Sequence, residues 1–374
     1  MTTFFTICFL ILPWVIIPND QIADPFRLPK STFFDLICMG MICFSLAGGL
    51  RKRYFNKYLS WFSIWVFFTI FLNFYLPYTM TFNNRSAINL TTLMPTLHFI
   101  FGLWASYIAL SYFEIDDFFK ISKVICISSI LISSVAILQK LGLDIFGQIA
   151  KYSNPYNKFS AFLDNPNIVG NYLCLTIPFF LLKENKKYIA GLVLAIIGLI
   201  ISLSELSILC AVAGLLTYLL FINRKKITYI AVSLFVLSGI GLVWKNQSIL
   251  LGFMNTRLAL WRLAWVEFKD NPIFGQGLGI FKSWELYPNM AKSLVAHNDW
   301  FEITIMLGVV GLVLLLMVII NSIRKFNYKI DNRIGFAYFT SFISFLLLMV
   351  GSFPLEIAPL ALFGLVNIWG VETL

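Results

Sequence analysis

Apolar residues run through the chain in blocks close to the roughly 20 residues that a helix needs to cross a bilayer. The blocks fall at 3–17, 31–50, 59–77, 90–112, 121–138, 165–182, 188–203, 206–222, 227–244, 300–321, 335–350 and 354–370. This pattern predicts an all-α polytopic membrane protein with about twelve transmembrane helices. The polar stretches between blocks include 18–30, 78–89, 139–164, a tight turn near 203–205 and, longest of all, Lys245–Asp299. Inside that last stretch the period changes. Leu258, Trp261, Trp265 and Phe268 recur at offsets of three, four and three, the stripe of an amphipathic helix. Thr256 is its expected N-cap, and Asp270-Asn271-Pro272 its expected stop. A helix with a Trp-rich face beside basic residues is expected to lie flat in the membrane interface. The whole chain, 1–374, then forms one transmembrane domain, with 245–299 as a long loop inside it.

Composition agrees: 59% of residues are hydrophobic, 12% are charged and mean hydropathy is +0.83. The first block starts Met1-Thr-Thr-Phe-Phe without a basic region and offers no small-residue cleavage site, so it reads as an uncleaved first helix. Lys and Arg cluster in alternate loops, at Arg51-Lys52-Arg53, Lys120 with Lys123, Lys183 with Lys186 and Lys187, Arg224-Lys225-Lys226, and Arg324 to Arg333. The positive-inside rule therefore expects cytoplasmic termini and places 245–299 on the outer face of the membrane. The formal charge of +10 is this topology signal. Basic residues broken up by spans form no phosphate-tracking patch, so no nucleic-acid partner is expected. Cys8, Cys38, Cys43, Cys126, Cys174 and Cys210 all sit in apolar blocks with no CxxC pair, which points to small buried hydrophobes, with neither disulfides nor a metal site.

Ionisable groups are costly in hydrocarbon, so chemistry is expected to gather in 245–299. That stretch carries Arg257-x-x-x-Trp261, Asn271-Pro-Ile-Phe-Gly275-x-Gly277-x-Gly279-x-Phe281, and His297-Asn298-Asp299-Trp-Phe running into Leu307-Gly308-Val-Val-Gly311. Upstream stands Asp164-Asn165-Pro166-Asn167, which opens a block starting Ile168-Val-Gly-Asn-Tyr-Leu. In order and spacing these motifs resemble the shared core of the O-antigen ligase and O-antigen polymerase family, from about residue 160 onward. The resemblance implies a glycosyltransferase whose donor is a glycan on undecaprenyl pyrophosphate. The acceptor would be a sugar hydroxyl, of lipid A–core or of another glycan, at the outer face of the bacterial inner membrane. Neither metal nor nucleotide cofactor is implied.

The residue chemistry fits that implication. Arg257 supplies a permanent cation for a pyrophosphate leaving group whose charge rises as the glycosidic bond breaks; an interfacial Arg touching lipid phosphates is the plainer alternative. Arg262 points about 140° away around the same helix, so it either clamps phosphate from another side or meets the membrane surface together with Lys269. His297 suits a general base for the acceptor hydroxyl, or a structural His at an interface. The other histidine, His98, lies mid-block and reads as an interhelical hydrogen-bonder. Asn298 is a further candidate substrate contact beside His297, although Asn298 and Asp299 favour a first helical turn in any case. Trp261, Trp265, Trp284 and Trp300 suit either sugar stacking or interface anchoring. Gly275-Gln-Gly277-Leu-Gly279 lacks a preceding strand and is no dinucleotide motif; its glycines suit a loop that packs closely against the site. Asn165-Pro166 reads as a helix cap followed by a first-turn proline.

One position departs from the family pattern. Where the family often has Ser-Arg at the outer end of a span, this chain has Ser204-Glu205. An anion does not bind pyrophosphate, so Glu205 either orients an Arg, acts as a base or caps a helix in the tight turn. Ligase and polymerase use the same parts, and protein O-oligosaccharide transfer is the same chemistry on a third acceptor. A lipid-linked-sugar flippase is the rival from another class. It would show midplane charges, broken helices or inverted repeats, whereas a transferase would hold its pocket at the outer ends of the helices.

Overall fold

The computed structural model describes residues 2–15, 27–47, 56–75, 100–108, 110–143, 161–163, 165–182, 185–222, 247–275, 297–326, 333–352 and 354–374. Among these residues regular structure is helical throughout, without a strand. The α-helices are α1 (Thr2–Ile11), α2 (Arg27–Ala47), α3 (Lys57–Tyr75), α4 (Ile115–Lys140), α5 (Pro166–Thr176), α6 (Lys186–Ile201), α7 (Glu205–Ile222), α8 (Gln247–Asp270), α9 (Asp299–Lys325), α10 (Arg333–Gly351) and α11 (Ala358–Thr373). Residues 100–108 are also helical. Three of these helices, α4, α9 and α10, are long and apolar enough to cross a membrane, and shorter apolar helices accompany them. The predicted 227–244 block, His98, Gly277, Gly279, Phe281, Trp284, the whole 78–89 loop and most of the 139–164 loop lie outside the described residues.

Prolines account for three places where a predicted block is not one continuous α-helix. The 3–17 block is helical only to Ile11 and tightens into a 3-10 turn, Leu12–Trp14, around Pro13. The 165–182 block changes at Ile177 into a 3-10 segment containing Pro178, whose ring nitrogen has no hydrogen for the α-helical ladder. The last block opens with a 3-10 turn, Pro354–Glu356, before α11 begins. A fourth difference is the start of α8. Thr256 is not its N-cap; the helix runs in from Gln247 and ends at Asp270, where the stop was expected. Ile249-Leu250-Leu251 and Phe253-Met254 are good helix formers upstream of Thr256, and a single Gly252 costs too little to stop them.

Small residues and hydroxyls hold the bundle together, as apolar contact alone gives helices little preference for one another over lipid. On α6, a Cβ on Gly198 would meet Ser133 of α4 at 3.0 Å, and Gly191 lies against Phe180 and Ile130. From α4, Ser128 pairs with the Tyr172 hydroxyl at 2.7 Å and Ser129 with the Thr176 hydroxyl at 2.8 Å. Trp369 donates its indole N–H to Ser106 at 3.0 Å. Cys38, Cys43, Cys126, Cys174 and Cys210 are free thiols, and all of them but Cys43 are buried. Outward-facing apolar side chains such as Trp61, Ile64 and Phe67 on α3 are more than half exposed, as expected where lipid replaces water.

Helix α9 is broken. Gly308 has φ 68° and ψ −176° inside an otherwise helical run, a combination essentially reserved for glycine. The turn after α8 is docked into the break. Val309 donates its N–H to Pro272 O at 2.9 Å, and Gly275 closes the turn onto Asn271 O at 3.0 Å. The Trp65 indole of α3 donates to Leu307 O at 2.9 Å, satisfying a carbonyl that the interrupted ladder leaves open. Trp65 also stacks on Phe274 of the same turn, ring centroids 5.6 Å apart. The motif glycine Gly275, at φ 78°, lies directly against the backbone of Met306 and Gly308, so this part of the glycine-rich motif packs closely, as expected.

Candidate functional site

Four chain segments converge at one end of the bundle. The N-terminus of α5 is set by Asn165, whose side chain accepts from Ile168 N at 3.1 Å, with Pro166 in the first turn. The turn between α6 and α7 is tight, and Leu203 is held at φ 52°. α10 ends at Gly351, and α8 crosses over this end. These are the ends that the Lys and Arg distribution assigns to the outer face.

Between these segments lies a cavity of about 400 Å³. Asn167 and Asn171 from α5, Ser204 and Glu205 from the α6–α7 turn, Arg257 and Trp261 from α8, and Gly351 and Ser352 from α10 line its polar part. A hydrogen-bonded chain runs behind that lining. Ser204 pairs with Ser207 at 2.6 Å, Ser207 donates to Asn171 Oδ1 at 2.6 Å, and Asn171 Nδ2 donates to Ser352 at 2.9 Å. Gly170 lets α5 approach the turn so closely that a Cβ there would sit 2.6 Å from Ser202 Oγ. Leu203, Leu209 and Leu258 form an apolar rim, each 41–59% exposed.

Arg257 is half-buried, and its Nη1 would be 2.9 Å from a Cβ on Gly351. Glycine at the end of α10 therefore makes the space in which the guanidinium lies. Burial pulls the Arg257 pKa down to about 10, opposed by the attraction of Glu205, so the group stays cationic at neutral pH. Burial likewise holds the Glu205 carboxyl above the usual carboxylate range, an effect that Arg257 partly offsets. A desolvated cation with a carboxylate beside it, above an apolar rim, is suited to a phosphate-bearing amphiphile.

The residues singled out by sequence divide. Arg257 and Trp261 line the cavity, and Trp261 packs on Phe301 of α9 with centroids 5.8 Å apart. Arg262 is exposed and lies outside the lining, as the helical offset predicts. Of the stripe on α8, Phe268 packs with Ala264 onto Ile305 and Phe301, whereas Leu258 and Trp265 are exposed. Lys269 lies over the Trp265 ring at 5.8 Å. His297 is half-buried at φ 50°, one residue before the cap of α9, and is not among the residues lining the cavity. Asn298 is buried as that cap; its side chain accepts from Phe301 N at 3.1 Å. Asp299 is also buried and accepts from Leu355 N at 3.0 Å, tying α9 to the turn before α11. Trp300 donates to Leu346 O at 3.3 Å.

Asn167, Asn171, Ser204 and Ser352 were not singled out as site residues. Asn167 and Asn171 stand four apart on α5 and so share a face, a spacing present in the sequence beside the helix-start motif.

Residues 190–316, about a third of the chain, match the family described as Wzy_C, O-antigen ligase. The match spans Glu205, Arg257 and His297–Asn298 and supports the resemblance to the O-antigen ligase and polymerase family. The Asn165-Pro166 motif and the Gly351 wall lie outside it. No curated protein and no solved structure matches the chain.

Proposed function

From the O-antigen ligase domain carried over residues 190–316, we propose that this membrane protein transfers a glycan from undecaprenyl pyrophosphate to a sugar hydroxyl at the outer face of a bacterial inner membrane. The observation that carries the reading is the position of Arg257, a half-buried guanidinium in a cavity rimmed by Leu203, Leu209 and Leu258. In this reading the pyrophosphate meets Arg257, the polyprenyl tail follows the leucine rim, and sugar hydroxyls face Asn167, Asn171 and Ser204. Developing charge on the leaving group falls on a cation already in place, which lowers the barrier without reorganisation. The cavity sits at helix ends and not halfway along them, which favours a transferase over a flippase.

His297 is the base nominated by sequence, and Arg262 and Asn298 the further substrate contacts; their positions outside the lining leave the reading resting on Arg257. The test uses detergent-purified protein with an undecaprenyl-pyrophosphate-linked glycan and lipid A–core, or a second lipid-linked repeat unit, as acceptor. Wild type forms product with one acceptor, which separates ligase from polymerase. A single displacement inverts the anomeric carbon, and product with retained configuration would exclude that mechanism. Failure to form product with any glycan acceptor would sink the proposal.

A further inference from the structure

Glu205 is the carboxylate that lines this cavity among the described residues, and its one ionisable neighbour in the lining is Arg257. If Glu205 served only as the first residue of α7, it would gain from the helix N-terminus while facing solvent. Instead it faces a cation that the donor pyrophosphate would claim. A pyrophosphate held at Arg257 adds negative charge close to Glu205 and draws guanidinium hydrogen bonds to itself, which raises the carboxylate's affinity for a proton. Ser204 and Asn171, next to it in the lining, are hydrogen-bonding partners of the kind that hold sugar hydroxyls.

Building on the transferase reading, we propose that Glu205 is the catalytic base that takes the acceptor hydroxyl's proton, with His297 positioning the start of α9. The acceptor oxygen bonds to the anomeric carbon as the bond from that carbon to the phosphate oxygen breaks. The hydroxyl proton passes to the Glu205 carboxylate, and the bonding pair leaves on the pyrophosphate, whose new charge is met by Arg257. The elevated proton affinity that burial gives Glu205 suits the task.

The experiment compares wild type, Glu205→Gln, Glu205→Asp, Glu205→Arg and His297→Gln in the transfer assay across pH, alongside binding of glycan-free undecaprenyl pyrophosphate. Loss of a general base predicts a fall in kcat of about 10²–10⁴-fold for Glu205→Gln, with KM for the donor not raised. Glu205→Asp keeps the helix-start carboxylate but withdraws it by one methylene, and it should be slowed less. The acid limb of the wild-type kcat profile should vanish in Glu205→Gln and persist in His297→Gln. Undecaprenyl pyrophosphate should bind Glu205→Gln more tightly, because a competitor for Arg257 is gone, and that gain also shows the variant is folded. Transfer by Glu205→Gln within about threefold of wild type would overturn the assignment, as would an acid limb that disappears with His297 instead. Higher activity in Glu205→Arg would overturn it too, showing the position to be a phosphate contact. No transfer by wild type would overturn the transferase reading itself, and the base with it.

Discussion

Two sets of buried polar side chains sit within this apolar protein and are organised in opposite ways. Along α4, Ser128 and Ser129 each close a pair with one hydroxyl of the α5 segment, deep between helices. At the start of α5, Ser204, Ser207, Asn171 and Ser352 form a continuous chain, and Ser204, Asn171 and Ser352 border an open volume shared with Arg257. The first arrangement is complete and can only hold helices together. The second gathers donors and acceptors at a surface where a ligand can add to them. Buried polarity in a membrane protein is therefore not by itself a sign of a site; what separates the two is whether the network ends at a cavity.

The comparison breaks most sharply at Arg257. Arg257→Ala should cut transfer by about 10²–10³-fold, the typical effect of removing one preorganised charge-stabilising group, whereas Arg262→Ala on the exposed face should leave it within a few-fold. A rate series on the two variants decides it; equal losses would mean that burial does not mark the functional Arg. Backbone comes next. Gly308→Ala meets both a glycine-only conformation and the Ile273 backbone, and should lower stability by roughly 3 kcal/mol or more. Gly142→Ala, also at positive φ but with nothing within 4 Å, should cost only about 1 kcal/mol. Thermal unfolding in one detergent compares them. The two polar networks should then separate cleanly. Ser129→Ala should reduce stability by roughly 0.6 kcal/mol, the average for interhelical hydrogen bonds, with transfer unchanged, whereas Asn171→Ala should raise KM for donor or acceptor. The smallest effect concerns titration. Because Arg257 keeps its proton up to about pH 10, transfer should hold through mildly alkaline pH and fall only as that cation is lost. An alkaline limb near pH 8 would mean that another group controls the rate.

Much of the architecture was legible because hydrophobic run length is a strong signal in a bilayer. The described helices cover the predicted blocks wherever both exist, and Asn165-Pro166 capped α5 as its chemistry requires. Proline told where helices tighten, but the blocks were drawn through Pro13 and Pro178 because hydropathy does not see a missing N–H. The start of α8 lies upstream of the expected Thr256 because Leu250, Leu251 and Met254 carry the helix through, and their preference outweighs the modest cost of one interior Thr. The site was half legible. Arg257 could be picked out by type and motif context, but Asn171, Ser352 and Gly351 become neighbours only when α5 and α10 pack, across a sequence separation no motif spans. The break at Gly308 was invisible for a different reason: glycine is common in membrane helices, and nothing local distinguishes one that is helical from one that is not.

That break works as a depth gauge. The loop helix is anchored about three turns below the head of α9, where Pro272 O meets Val309 N, and not at its end. The distance from Arg257 to the membrane surface is thus counted in residues of α9. Deleting a full turn between Trp300 and Leu307 would bring the guanidinium nearer the start of that helix by about 5 Å, more than the span of a phosphate group. The headgroup of the proposed lipid-linked donor would not rise or sink to follow. A shift of that size would leave every side chain of the cavity intact and still miss the bond to be broken.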